Sequence, residues 1–228
     1  MSRTAVIHQP DFLPYLGFFE RLLHADVFVL LDNAKPSRGW TCRDKIKTPN
    51  GAIWISLSVK NTPDDTPICE TELSEDIDWR TKHINILREN YRKSPYFAEI
   101  FPEIEQLYAY PCTKLLDFNR ASIELLMRLF DIRIETVVAT SLSPEGKSNE
   151  LNVDILKKIG ADRYLSGSGA RAYFRPEPFA EAGIEVLWQD FQHPVYSQLY
   201  GDFVPYLSSI DLLLNCGIDE SRKILRKK

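Results

Sequence analysis

Short runs of wholly apolar residues, separated by stretches of helical period, dominate the 228-residue chain. Residues 3–8 carry Ala5, Val6 and Ile7, and Val27 to Leu31 are apolar throughout. Neither run alternates, which is the mark of strands buried on both faces, as parallel strands are. Residues 134–138, 163–165 and 184–187 read as further strands. Helical spacing is expected over 15–24, where Phe18, Phe19, Leu22 and Leu23 share a side, and over 150–159, closed by Gly160. Strands separated by helices predict an α/β fold: a mostly parallel central sheet of about five strands with flanking helices.

Two stretches depart from that rhythm. Residues 53–59 alternate, contain Trp54, and are expected to pair with 41–47 across Pro49-Asn50-Gly51 as a small β-hairpin. Helical blocks at 77–92, 97–110 and 114–130, with Pro95, Pro102 and Pro111 near their boundaries, form a central helical insertion at about 77–130. Residues 208–215 are expected to form a short helix or turn, and Asp219 to cap a last helix. Residues 1–228 together read as one α/β domain.

A parallel sheet dictates where chemistry is expected, because ligands bind beyond the carboxyl ends of its strands. Those ends carry His8-Gln9, Asp32-Asn33, Thr140-Ser141, the Ser166-Gly167-Ser168-Gly169 run, and Gln189-Asp190 followed by His193. One crevice is therefore expected to gather His8, Asp32, Ser166 and His193. His8 is a candidate acid, base or phosphate ligand, since imidazole titrates near neutrality; a hydrogen-bonded structural histidine is the alternative. Asp32 suits a ribose hydroxyl, a metal or an amine, and equally a turn. In Ser166 to Arg171, glycines let backbone N–H groups approach an anion, and Ser166, Ser168 and Arg171 complete a phosphate or carboxylate site. The plain alternative is a flexible strand-to-helix turn, and the run is neither a Walker loop nor a dinucleotide fingerprint.

Helical spacing puts Trp79, His83, Leu87 and Asn90 on one side, a packed stripe whose polar members are satisfied or used. Tyr196, with Tyr200, Phe203 and Tyr206, lines a sugar or base pocket or packs a long loop down. Asp211 and Asn215 share a helical face, suited to orienting His193 or capping loops.

Composition and charge act mainly by exclusion. The net charge is -4 and the only basic run is Arg226 to Lys228, so duplex nucleic acid is not an expected partner. No apolar stretch is long enough to span a bilayer and no signal region opens the chain, so a cytoplasmic location is expected. The cysteines are scattered without metal-ligand spacing; they are expected to be reduced, and no resident metal is expected. A serine-nucleophile elbow is absent.

Longer motifs add a resemblance. The opening Ile7-His8-Gln9-Pro10-Asp11-Phe12-Leu13-Pro14-Tyr15-Leu16-Gly17 resembles the start of the WbqC-like family, as does Ala25-Asp26-Val27-Phe28-Val29-Leu30-Leu31-Asp32. Trp40 with Arg43, the Trp54 strand, Trp79 through His83 to Asn90-Tyr91, Tyr164-Leu165-Ser166-Gly167 with Tyr173, His193-Pro194-Val195-Tyr196, and Ser209 through Asp211 and Asn215 to Gly217 extend it over nearly the whole chain. Such proteins are associated with bacterial surface-polysaccharide (O-antigen) gene clusters. The resemblance implies a transferase that moves an amino-acid or acyl group onto an amino sugar or nucleotide-sugar. His8 or His193 would be the base, the Ser166–Arg171 loop would hold a phosphate, and Arg43 would grip a carboxylate or phosphate in bidentate fashion. The implied ligand is a nucleotide or nucleotide-sugar. A non-catalytic nucleotide-sugar-binding module is the alternative, and so is a nucleotidyltransferase-like enzyme, the one reading that would need magnesium. For the last, the first 32 residues resemble HxGH-type nucleotidyltransferases, but Tyr15 and Phe18 stand where that motif has histidines.

Overall fold

Four apolar side chains in succession on one strand must be buried on opposite faces by turns. Over Val27–Leu30 this is what is found: Phe28 and Leu30 enter one core, Val27 and Val29 another. The structure, a computed structural model, describes residues 2–36, 39–63 and 65–227. Its elements run β1 (Thr4–His8), α1 (Leu16–Leu22), β2 (Val27–Leu30), β3 (Arg43–Thr48), β4 (Gly51–Ser56), α2 (Trp79–Tyr91), α3 (Phe97–Ala109), α4 (Leu115–Leu129), β5 (Glu135–Val138), α5 (Asn149–Lys158), β6 (Arg163–Ser166), α6 (Glu177–Glu181), β7 (Glu185–Trp188) and α7 (Ser209–Arg226). The fold is α/β. A five-stranded sheet, ordered β5-β2-β1-β6-β7 and parallel at every pairing, carries helices on both faces, and β3 and β4 form a separate antiparallel hairpin.

The strand order matters for function. From the central β1 the chain steps outward through β2 to β5, then returns across the centre to β6 and steps out to β7. Connections leaving β1 and β6 diverge, and a crevice opens between their carboxyl ends. One face of the sheet packs α1, α2, α3, α4, α7 and the inner side of the hairpin; α5 and α6 cover the other.

Where the elements differ from expectation, local geometry explains it. Gly51 adopts φ 99° and pairs with Thr48, so a two-residue turn starts β4 at 51 rather than 53. Past Ser56 the Leu57 N–H donates to the Cys42 carbonyl and the strand ends. On α2 the buried stripe is Trp79, His83, Leu87 and Tyr91, with Asn90 one position off it. The short helix α6 was not expected. Residues 208–215 and the segment near Asp219 run together as α7, kinked at Gly217, whose φ 73° and ψ 174° lie outside helical space. Of the basic tail, Arg226 and Lys227 close this helix, and Lys228 lies outside the described residues. No described helix is long and apolar enough to cross a membrane.

Gly217 supports a direct test. Its backbone conformation is one that residues with a side chain scarcely adopt, and a Cβ there would lie 2.5 Å from the Tyr96 ring. Gly217→Ala should lower stability in urea by about 2–3 kcal/mol, most of it conformational strain. Adding Tyr96→Ala should recover only the steric part; an unchanged midpoint for Gly217→Ala would show that the kink relaxes freely.

Candidate functional site

The crevice is built from the loop that β1 cannot continue. After His8 the chain carries Pro10 and Pro14, neither of which can donate to a ladder. This loop is pinned from several directions. Asn119 of α4 donates to the carbonyls of Pro10 (2.7 Å) and Thr41 (2.8 Å). The Phe12 N–H donates to the Trp40 carbonyl. Ser208 and Ser209 at the start of α7 donate to the carbonyls of Leu13 and Pro14, each at 2.7 Å. Leu13 is thereby held at φ 43°, a costly conformation for leucine. The central helices and the terminal helix thus act as a clamp that fixes His8, Gln9 and Asp11 beneath the open end of the sheet.

Two adjoining lobes of about 520 and 340 Å³ form the crevice, sharing His8, Asp11, Trp40, Tyr164, Ser166 and Tyr173. The larger reaches Gln9, Leu31 and the start of α5 at Ser148, Asn149 and Asn152. The smaller reaches Tyr15, Arg21, Gln189, Phe191, Tyr206 and the run Gly167 to Ala170. Tyr15 links the aromatic walls, its ring centroid 6.2 Å from Trp40, 6.0 Å from Phe191 and 6.1 Å from Tyr206.

Electrostatics single out His8, Asp11 and Arg21. Burial, reinforced by the nearby Arg21 charge, pulls the His8 imidazole down to about 3. His8 is therefore neutral at working pH. Its Nδ1 lies 2.9 Å from the Gln9 carbonyl, which requires the proton on Nδ1 and leaves Nε2 as the lone-pair nitrogen. Asp11 sits 3.5 Å from the same Nδ1. Burial pushes its carboxyl up to about 7, with Arg21 and the Thr41 hydroxyl pulling the other way. Arg21 is only 4% exposed, and burial disfavours its charged form. Its Nε is buried without a hydrogen-bond partner, and among the described residues its guanidinium makes no hydrogen bond or ion pair.

Several residues expected from the sequence line this crevice: His8, Gln9, Ser166, Gly167, Ser168 and Gly169. Gln9 also ties the Thr41 hydroxyl to the Lys35 carbonyl. Others lie elsewhere. Asp32 accepts from the Thr140 N–H at 2.9 Å and the Thr140 hydroxyl at 2.6 Å, fastening the end of β2 to the turn after β5. His193 stands outside the crevice lining, behind Phe191 and Tyr206; its Nδ1 faces the Pro194 carbonyl, its Nε2 is buried without a partner, and burial lowers its pKa. His83 has both nitrogens engaged, by Tyr108 and the Ser56 carbonyl, and burial lowers it to about 4. Asp211 accepts from Tyr91, Tyr196 and Gln198 in the interior, where burial raises its pKa. Asn90 donates to the Ile86 carbonyl within its own helix. Arg43 lies 4.4 Å over the Trp54 ring on the hairpin, and Arg171 4.5 Å over Trp188.

Sequence reasoning did not assign Asp11, Tyr15, Arg21, Tyr164 or Tyr173 to the site. Arg21 left a signal: it falls three positions after Phe18, on the buried side of α1, where a charge is costly unless it is used. Among the described residues no cluster of histidine, cysteine, aspartate or glutamate is arranged to hold a metal ion.

The open parallel sheet places a polar, aromatic-walled crevice at its switch point, the place where α/β sheets commonly take ligands. The chain belongs to the WbqC-like protein family, whose pattern matches residues 9–223. It is similar to an uncharacterized protein of Mycobacterium tuberculosis (strain ATCC 25618 / H37Rv), 30% identical over an aligned length of 225, with 96% of this chain and 96% of the relative covered. No solved structure matches it.

Asp11 and His8 impose opposite pH dependences on stability. An unfolded aspartate titrates near about 3.9 and an unfolded histidine near about 6.5. Between about 4 and 7 folded Asp11 keeps a proton that the unfolded chain has released, so its contribution falls as pH rises. Folded His8 stays neutral down to about 3 while the unfolded chain takes up a proton below about 6.5, so its contribution falls as pH drops. Relative to wild type, Asp11→Asn should gain stability as pH rises from 4 to 7, and His8→Gln should gain as pH falls from 6.5 to 4. Urea midpoints that run parallel for all three proteins would overturn both assignments.

Proposed function

We propose that this protein is a transferase of bacterial surface-polysaccharide biosynthesis, moving an amino-acid or acyl group onto an amino sugar carried as a nucleotide-sugar. The polysaccharide context rests on the family resemblance. The observation that carries the catalytic reading is the Asp11 carboxyl, held near neutrality in the crevice beside a neutral imidazole. A general base works best when its pKa lies near the operating pH. Asp11 meets that condition, and His8 does not.

In this reading the acceptor amine attacks the activated carboxyl carbon of the donor and gives its proton to Asp11, and the leaving group departs with the donor's bonding pair. His8 offers Nε2 to a substrate hydroxyl or N–H, and Gln9 and Ser166 complete the polar floor. Trp40, Tyr15 and Tyr173 supply faces on which a sugar or base can stack. Asp32, bonded to Thr140, holds the ends of β2 and β5 together and has a structural role. His193 supports the packing of Phe191 and Tyr206 rather than touching substrate. Nucleotidyl transfer is less favoured: Tyr15 and Phe18 provide no imidazole, and the Phe18 ring is buried against His8 and Phe28.

The test is a mass-spectrometric screen of amino-sugar nucleotides against activated acyl and aminoacyl donors. Asp11→Asn should lower kcat by at least about 100-fold, in the range of general-base catalysis, with wild-type circular dichroism. His8→Gln should cost about tenfold, the effect of losing one hydrogen bond of about 1.4 kcal/mol in the transition state. Undiminished turnover in Asp11→Asn would sink the mechanism. Tight nucleotide-sugar binding with no mass gained by any acceptor would leave the binding-module reading standing instead.

A further inference from the structure

A buried guanidinium without a partner is expensive, because desolvation penalises the charge and nothing nearby repays it. Arg21 is in that position. The neighbouring carboxylate of Glu20 is already engaged, by His24 at 2.8 Å and Gln189 at 2.6 Å. Asp11, the other acid close enough to feel Arg21, is near half-protonated at neutral pH and makes no ion pair with it among the described residues. The remaining charge-sensing neighbours, Tyr15 and Tyr164, carry hydroxyls.

The loop above the guanidinium is shaped around it. A Cβ placed on Gly167 would lie 2.5 Å from Arg21 Nη1, far inside contact distance. Gly167 has an ordinary extended backbone, φ -72° and ψ 147°, which any residue adopts. Its missing side chain therefore answers to Arg21 and not to the turn. The Ser166 and Ser168 residues flank it, and all three line the smaller lobe together with Arg21.

We propose that Arg21, seated under Gly167, is the floor of a preformed oxyanion site that takes a phosphoryl group of the substrate. This rests on reading the crevice as the substrate site and adds the chemical class of the group bound there. Arg21 offers up to five N–H donors, and Tyr15, Tyr164 and Ser168, each carrying a hydroxyl, line the same lobe. A phosphoryl group, with more terminal oxygens than a carboxylate, matches that excess of donors. The sequence had pointed to Ser166–Arg171 as an anion loop with Arg171 as its cation. The cation in the lobe is Arg21, contributed from a helix distant in the chain, while Arg171 stacks on Trp188 outside it.

The test is calorimetric titration of the full chain with inorganic phosphate and with acetate, at ionic strength held constant with sodium chloride. Wild type should bind phosphate more tightly than acetate. Arg21→Met should weaken phosphate at least tenfold, and Gly167→Ala, which displaces the guanidinium while leaving the arginine in the chain, should weaken it several-fold. The unliganded Tm of Arg21→Met should equal or exceed that of wild type, because an unpaired buried charge is removed; an arginine with a structural role would give a lower Tm. If Arg21→Met does not fold, Gly167→Ala carries the test. Wild-type phosphate affinity in a folded variant, phosphate binding no tighter than chloride, or a preference for acetate would each overturn the proposal. Because the readout is binding, phosphate capture without turnover keeps this site and counts against the transferase reading, whereas turnover without phosphate capture does the reverse.

Discussion

Strand β1 is paired in parallel along both edges and packed on both faces, so the chain leaving it at His8 must turn out over the carboxyl edge of the sheet. Everything at the crevice follows from that. The loop from Gln9 to Tyr15 is buried rather than solvated, and its backbone groups need partners other than water. Asn119, Ser208 and Ser209 supply them from α4 and α7. The helices inserted between the hairpin and β5 therefore help to fix the site, although no residue of α2, α3 or α4 lines it.

The same constraint accounts for the electrostatics. A pinned loop cannot swing Asp11 toward solvent or into a tight pair with Arg21, so burial raises the acid and disfavours the cation at once. In a flexible loop the two would close on each other and relieve both costs. The clamp keeps them apart, and the crevice retains a protonatable carboxyl and an unneutralised charge in adjoining positions. This arrangement is held by helix-to-loop hydrogen bonds from residues outside the crevice lining, a common way for a fold to hold costly groups in place.

Much of the frame was legible in the sequence, because burial on both faces leaves an uninterrupted apolar run and strand ends are where such runs stop. That logic placed His8 and Ser166 correctly relative to the sheet, and the crevice opens between the strands they terminate. It failed where position depends on contacts between segments remote in sequence. Asp32 follows an apolar strand as His8 does, yet its carboxylate is consumed by Thr140, an acceptor's fate that no local pattern announces. Asn90 and Tyr91 differ by one step on a helix, and 3.6-residue geometry buries the second. Arg21 signals burial by its spacing from Phe18, but its place in the crevice depends on the loop after β6 that lies over it.

Arg21 and Gly167 occupy one volume between them: the guanidinium fills the space that a side chain at 167 would take. Their substitutions are therefore conditional on each other. A larger residue at 167 would be tolerated beside a shorter one at 21, and an arginine introduced at 21 of a relative would fit only over a glycine. Among descendants of this chain the two positions are expected to change together or not at all, so a paired shift between them would mark the branches in which the crevice has given up its buried charge.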